Sequence, residues 1–204
     1  MIAVAEAAGL QQPRRFLLRF VLWSVLLGLM AHFGSPCITE ALLPVFKDEL
    51  ALLEPAFRID RLYVDRDGAD EVVRLEVGLA RTLSVGSRTF RPDPRDRAST
   101  STLADNAVVP CALLIAASLA WPLRSRRELA MRLAALAPAA LLLEMLVVPF
   151  ILLAQLWAAL LSSAAPGRFS LLVSWGDFLT GGGALALALI LAVAAIQLPR
   201  RILL

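Results

Sequence analysis

The chain has 204 residues, 59% of them hydrophobic, with a formal net charge of +3 and a mean hydropathy of +0.73. One histidine and two separated cysteines leave a zinc site without its ligands, so no metal or other cofactor is expected. Nucleic acid is excluded as a partner because the basic residues are not clustered among aromatics.

Four apolar blocks dominate the chain, at 16–33, 107–123, 133–161 and 179–198. A hydrocarbon core about 30 Å thick needs roughly 20 apolar residues in a helix, and each block comes near that length. Arginines mark their ends. Arg14, Arg15 and Arg19 open the first block, Arg124, Arg126, Arg127 and Arg132 lie between the second and third, and Arg200 and Arg201 follow the fourth. Positive charge beside a membrane helix stays cytoplasmic, so four crossings with both termini inside put all three clusters on one side. Residues 35–106 and the short loop 162–178 then lie outside. The segment 35–106 carries 13 acidic and 10 basic residues, so the excess positive charge resides in the rest of the chain. Lys47 is the one lysine, and the arginine- and alanine-rich composition is that of a GC-rich bacterial genome. Helical spans point to the cytoplasmic (inner) membrane, since outer-membrane proteins are barrels of alternating strands.

The expected fold is therefore membrane α-helical: four transmembrane helices with a small α+β extracytoplasmic domain inserted between helices 1 and 2. Residues 1–15 form a cytoplasmic tail, unstructured over 1–13, and 16–34 an uncleaved signal-anchor helix. Residues 35–106 form the periplasmic domain and 107–204 a three-helix bundle. The residues around His32, Phe33 and Gly34 make a poor cleavage site, and Pro36 directly before Cys37 is not a lipoprotein box. In the periplasmic domain, Leu42, Phe46, Leu50 and Leu53 recur at helical spacing, with Pro44 in the first turn and Glu54-Pro55 closing the helix. Packing on a sheet suits this helix better than lying on lipid, because its polar side has Lys47, Asp48 and Glu49. Phe57, Ile59 and Tyr63 share one parity; Asp67-Gly68 supplies a tight turn; Val73, Leu75, Val77 and Leu79 alternate with polar residues in a strand that continues toward Val85. Residues 86–105 read as an extended linker with one short strand near Thr89-Phe90. A two-stranded hairpin needs further support, from the helix, the membrane surface or a partner's strand.

In the bundle, Pro110 falls in the first turn of the second span, Trp121 anchors its inner end, and Pro138 and Pro149 kink or tilt the third. The fourth span follows Trp175-Gly176-Asp177-Phe178, with Asp177 or Thr180 as its cap. Gly181, Gly182 and Gly183, followed by Ala184, Ala186, Ala188, Ala192 and Ala195, make a small-residue surface that serves tight packing within the chain or docking of another membrane protein.

Glu144 is the acid well inside an apolar block, where charge is expensive. Gln155 lies eleven residues on, three helical turns, hence on the same face. The pair suits a polar contact with another helix, or else a proton or substrate site. His32 and Cys37 are a thiol and a base, but five residues apart on a helix they do not share a face, and no third residue orients the histidine. Cys37 and Cys111 both fall at the outer face, where a disulfide is permitted; two separate apolar thiols are the simpler reading. No phosphate loop, dinucleotide fingerprint or nucleophile elbow is present, and no internal repeat suggests a transporter of inverted halves. An enzyme is not expected.

Three stretches carry a family resemblance: Arg15-Phe16-Leu17-Leu18-Arg19-Phe20-Val21-Leu22-Trp23, Asn106 with Pro110 at the second helix, and Trp175-Gly176-Asp177-Phe178-Leu179-Thr180-Gly181-Gly182-Gly183. By these, and in size and architecture along the whole chain, the protein resembles the exosortase-associated membrane proteins, in particular the exosortase H-associated type. The family's Asn-Pro-Leu at the second helix is replaced here by Asn106-Ala107-Val108. The resemblance implies an accessory role beside a protein-sorting transpeptidase and implies no catalytic residues. The expected partners are the lipid bilayer and another integral membrane protein. The alternative is a small subunit of a membrane transporter or envelope-export complex, with Glu144 as its telling residue.

Overall fold

The computed structural model describes residues 2–122 and 125–202, with side chains described from residue 14 to 198 of these. The protein is mostly helical (67%), with a small sheet region. In chain order it comprises α1 (Ile2–Leu53), β1 (Phe57–Asp67), β2 (Asp70–Leu79), β3 (Leu83–Val85), β4 (Arg88–Phe90), β5 (Ala98–Leu103), α2 (Asp105–Ala120), α3 (Arg126–Ala164), α4 (Leu171–Phe178), a π-helical turn (Leu179–Gly183) and α5 (Ala184–Ile202). Arg124 lies outside the described residues, as do the side chains of Arg200 and Arg201. Three helical stretches are long and apolar enough to cross a membrane, Arg14–Leu53, Arg126–Ala164 and Leu171–Leu198. At 16 residues α2 is shorter, about 24 Å at the usual helical rise.

Two compact units divide the chain. One comprises residues 1–33, 109–143 and 185–204, the other 34–108 and 144–184. α1 is one continuous helix, so the segment 42–53 extends the first apolar block, and Pro36 and Pro44 lie in its interior. The residues read as an unstructured tail belong to its first turns. Leu53 is its last residue, just before the Glu54-Pro55 step that disfavours helical angles.

In the second unit the sheet order is β1-β2-β5, all antiparallel. Asp67 pairs with Asp70 across the loop Gly68-Ala69. Gly68 has φ 65°, at the position a II′ turn reserves for glycine. β2 stops at Leu79, and Leu83–Val85 instead pairs with Arg88–Phe90 in a separate small hairpin. The segment read as a linker provides β5, which pairs Val72–Val77 of β2 with Leu103–Ala98, so the sheet gains its third strand from within the chain.

A bulge at Asp60 shifts the register between Ile59 and Arg61. One extra residue inverts the alternation beyond it. Phe57 and Ile59 therefore share their face with Leu62 and Val64, opposite the buried Leu75 and Val73, while Tyr63 joins Arg61 and Asp65 on the polar face. The expectation that Tyr63 follows Phe57 and Ile59 fails for this reason. Phe46 and Leu50 of α1 are buried in the same unit. The indole of Trp157 on α3 meets Phe57 edge-on at 6.2 Å and donates from Nε1 to Glu54 Oε2 at 3.2 Å.

In the first unit the end of α2 is closed by a charge. Arg132 Nη1 donates to the carbonyls of Ser118 (2.8 Å) and Trp121 (3.1 Å), in the turn where helix carbonyls lose their own partners. Its Nη2 donates to Glu128 Oε1 at 2.7 Å, and the two side chains are only 1% and 3% exposed. Ser125 starts α3: its Oγ accepts from the Glu128 amide at 3.1 Å, the Ser-x-x-Glu spacing of a capping box. Trp121 also meets Phe16 edge-on at 5.4 Å.

Substituting Arg132→Met removes both the carbonyl cap and the cation opposite a buried carboxylate. We expect a loss of about 3–5 kcal/mol in unfolding free energy, partly recovered when Glu128→Gln is added. Equilibrium unfolding in mixed micelles measures both; an Arg132→Met chain as stable as the parent would mean the pair does not hold α2 to α3.

Candidate interaction surface

The polar face of the three-stranded sheet is the most charge-organised surface of the second unit. Gly78 opens room on it. A Cβ there would lie 3.0 Å from Arg58 Nη2 and 3.5 Å from Asp60 Oδ2, so the absence of a side chain lets a cluster form above β2. Arg58 Nε donates to Asp60 Oδ1 at 2.7 Å, and Arg97 Nε stands 3.9 Å from Asp60 Oδ2. The hydrogen bond from Arg58 holds the Asp60 carboxyl below its ordinary range against the opposing effect of burial, with the charges of Arg58 and Arg97 adding to the shift. Next along the face, Tyr63 donates its hydroxyl to Glu76 Oε1 at 3.0 Å, which raises the phenol above its ordinary value, burial adding to the effect. Arg74 then spans Asp65 (2.9 Å) and Asp67 (3.8 Å). Exposed ion pairs contribute about 0–1 kcal/mol each, so stability alone does not account for so ordered a face. It offers alternating charge and one phenol on a rigid frame, which suits recognition of a polar chain or protein surface.

The helical part of this unit is built on small residues. A Cβ on Gly176 of α4 would collide with the Cβ of Ala154 on α3, so glycine is what permits the two helices to approach here. Trp175 and Phe178 stack at 5.1 Å beside this crossing. Thr180 Oγ1 donates back to the carbonyls of Gly176 (3.0 Å) and Asp177 (3.2 Å). Gly182 takes φ 106°, which only glycine adopts readily, and a Cβ on Gly183 would strike the Phe178 ring. The helix of the fourth block thus begins at Leu171, capped by Ser170, and bends through a π-helical turn. Neither Asp177 nor Thr180 is its N-cap, because both already lie inside it. Between α3 and α4 runs a cleft of about 110 Å³ whose polar lining is Gln155, Asp177 and Thr180; an apolar groove of about 620 Å³ lies along Phe150, Leu171 and Trp175.

The other residues singled out in the sequence are dispersed. Glu144 is buried in α3 at 5% exposure, whereas Gln155 is exposed and accepts from Thr100 Oγ1 at 2.6 Å, tying α3 to β5. Eleven residues of rise separate them by about 16 Å, so they form no common site. Gly182 and Gly183 are accounted for by the bend, while Gly181 has open space beside its Cα. Ala184, Ala188, Ala192 and Ala195 are buried within the chain, whereas Ala186 is exposed, and the exposed side of α5 includes Leu185, Leu189, Ile190, Val193 and Leu198. Cys37 is an exposed thiol, and the Cys111 thiol faces the Ala140 carbonyl at 3.7 Å; the disulfide considered between them is not formed. The ring of His32 meets Phe33 at 5.5 Å. Among the described residues no group of three or more His, Cys, Asp or Glu side chains is placed to hold a metal ion.

Sequence reasoning missed Arg132 as a buried cap, Gly78 as a gap in the polar face, and Trp157 as the bridge to Glu54. Ser125-x-x-Glu128 was the one such feature with a readable signature. The fold defines a class, a mostly helical chain with three helices long and apolar enough to cross a membrane and a small sheet region. No family model matches the chain, and no curated protein or solved structure matches it either.

Because Asp60 titrates below an unfolded aspartate, its ion pair stabilises the fold above the ordinary aspartate pKa of about 3.9, and that contribution is lost as pH falls through the lower folded value. Carboxyl-carbon NMR of the labelled chain should place the Asp60 midpoint below 3.9, and Arg58→Met should move it up. A midpoint indifferent to Arg58→Met would remove the hydrogen bond as its cause.

Proposed function

We propose that the chain is a non-enzymatic accessory protein of the bacterial inner membrane. In this reading it crosses four times with both termini cytoplasmic, and it serves an exosortase-type protein-sorting system of the cell envelope. The sheet is extracytoplasmic and engages a larger membrane protein or its sorted substrate. The observation that supports this reading best is how the polar side chains are used. Gln155, Glu54, Asn106 and Arg132 each join one structural element to another. The remaining charge is organised into a sheet face fit for polar contacts.

The arginine distribution supports four crossings, and Trp121, just past the end of the short α2, suits an interfacial anchor. A span of about 24 Å is accommodated by local thinning of the bilayer. The outward apolar side of α1, with Leu18, Leu22, Met30 and Phe33, supplies the surface for lipid or for the partner's helices.

Single cysteines test the topology in a Cys37→Ser, Cys111→Ser background. Substitutions Arg95→Cys and Arg168→Cys should label with an impermeant reagent in intact cells, and Arg126→Cys only after permeabilisation. Labelling of Arg126→Cys from outside would overturn the four-span layout. Mild-detergent isolation of the tagged chain should then bring down a Cys/Arg/His transpeptidase of the exosortase type; recovery of an ATPase or permease instead would overturn the sorting role.

The burial of Glu144 in α3 favours a second reading, a small subunit of a transporter or export complex. Under it, Glu144→Ala abolishes flux while assembly persists. Under the accessory reading Glu144 serves packing or helix contact, and Glu144→Gln leaves co-purification with the partner intact.

A further inference from the structure

β1 is the longest strand in the protein, eleven residues without proline, and it lies at the edge of its sheet. Its far side has no strand partner among the described residues. Such an edge exposes a row of backbone donors and acceptors, and proteins commonly blunt it with charge, proline or bulges. Here the bulge falls at Asp60, near one end, and leaves Arg61–Asp67 as an uninterrupted edge.

The order of side chains along that edge is self-complementary. In antiparallel pairing, residues directly opposite each other lie on the same face, so a second β1 fits only in registers that put polar face beside polar face. Of these, the register centred on Tyr63 places Arg61 opposite Asp65 of the second copy and Asp65 opposite its Arg61. Tyr63 meets Tyr63, and on the other face Leu62 meets Val64 and Val64 meets Leu62. Shifting the centre to Leu62 puts Arg61 against Tyr63 and, across the bulge, Asp65 against Arg58, so the Arg61 charge is unmatched. Shifting it to Val64 puts Arg61 against Asp67 but Tyr63 against Asp65 and, on the apolar face, Leu62 against Arg66. Only the Tyr63-centred register matches both charges and continues the apolar face. Arg61 is exposed and has no ion-pair partner among the described residues, so its charge is available for the contact.

We propose that β1 is a homodimerisation edge. Two copies join antiparallel about a two-fold axis through Tyr63, giving a continuous six-stranded sheet in the order β5-β2-β1-β1-β2-β5. This inference stands apart from the sorting role, which concerns a different protein.

The symmetry gives a sharp test on the full chain in detergent. Residue 63 faces its own copy at a Cα separation of about 4.5–5.5 Å, within disulfide range, whereas the two residues 61 are about 13 Å apart along the strands. In the Cys37→Ser, Cys111→Ser background, Tyr63→Cys should therefore cross-link on mild oxidation and Arg61→Cys should not. Arg61→Asp places Asp opposite Asp twice, and Asp65→Arg places Arg opposite Arg twice, so each alone should weaken self-association by about tenfold. An equimolar mixture of these two variants restores both pairs and should associate as well as the parent. Sedimentation reads the association, and circular dichroism shows that each variant is folded. A monomeric parent, equal cross-linking at positions 61 and 63, or a mixture no tighter than its components would each overturn the proposal. So would a dimer that persists in both charge variants, since its contact would then lie elsewhere.

Discussion

An apolar helix of 39 residues has far more surface than a bilayer can cover, and the structure of the second unit follows from what covers the excess in α3. At the usual rise α3 is about 58 Å long, nearly twice the thickness of a hydrocarbon core. Its last third carries Gln155 and Trp157, whose polar atoms are met by Thr100 and Glu54, and Phe57 of β1 packs against the same indole. The sheet is therefore a cover for a helix. A three-stranded sheet with an apolar face is the least that stands alone in water, and packing on α3 buries part of that face. Small residues complete the cover: Gly176 lets α4 lie against Ala154, and the stacked Trp175 and Phe178 close the flank.

Buried charge follows the same rule. Arg132 is fully buried, which is tolerated because its guanidinium is spread over two helix-terminal carbonyls and a carboxylate four residues back on its own helix. Pairing of this kind seldom adds net stability, since desolvating both ions offsets their attraction; it fixes geometry, because removal of either partner is costly. In the α2–α3 connection the geometry fixed is the angle at which one helix hands over to the next. An arginine that reads in the sequence as a topology signal is here neutralised by Glu128.

What the sequence makes legible is set by how local the determining physics is. The apolar blocks are visible because burial in lipid demands uninterrupted runs, and the hairpin is visible because Asp67-Gly68 encodes its turn in two residues. Glu54-Pro55 marks the end of α1 by a local bias against helical angles, although Pro36 and Pro44, inside the same helix, do not end it. β5 was hidden because Ala98-Ser99-Thr100-Ser101-Thr102 shows no apolar alternation; it is a strand through its pairing with β2 and the bond of Thr100 to Gln155. The face of Tyr63 was misread because a bulge of one residue inverts parity, and nothing in Ile59-Asp60-Arg61 announces it. The glycine row was read from composition as a surface for tight packing within the chain or for docking; the positive φ of Gly182 and the Phe178 ring beside Gly183 are conditions of the bend, visible only in three dimensions. For the same reason composition did not show which alanines of α5 face inward: Ala184, Ala188, Ala192 and Ala195 are buried, while Ala186 is exposed.

The bulge connects local geometry to whatever the sheet does. Without it, Tyr63 would point with Phe57 toward the helices, and its hydroxyl would need a partner in an apolar layer, where an unmet hydroxyl costs about 1–3 kcal/mol. With it, Tyr63 meets Glu76, Asp60 sits between Arg58 and Arg97 over the gap left by Gly78, and Leu62 and Val64 take the inner positions. One inserted residue thus satisfies the apolar face and assembles the charged one. Ion pairs so exposed contribute little to folding. The charged face and the face that packs on the helix are two sides of one strand, and the bulge at Asp60 sets the phase between them.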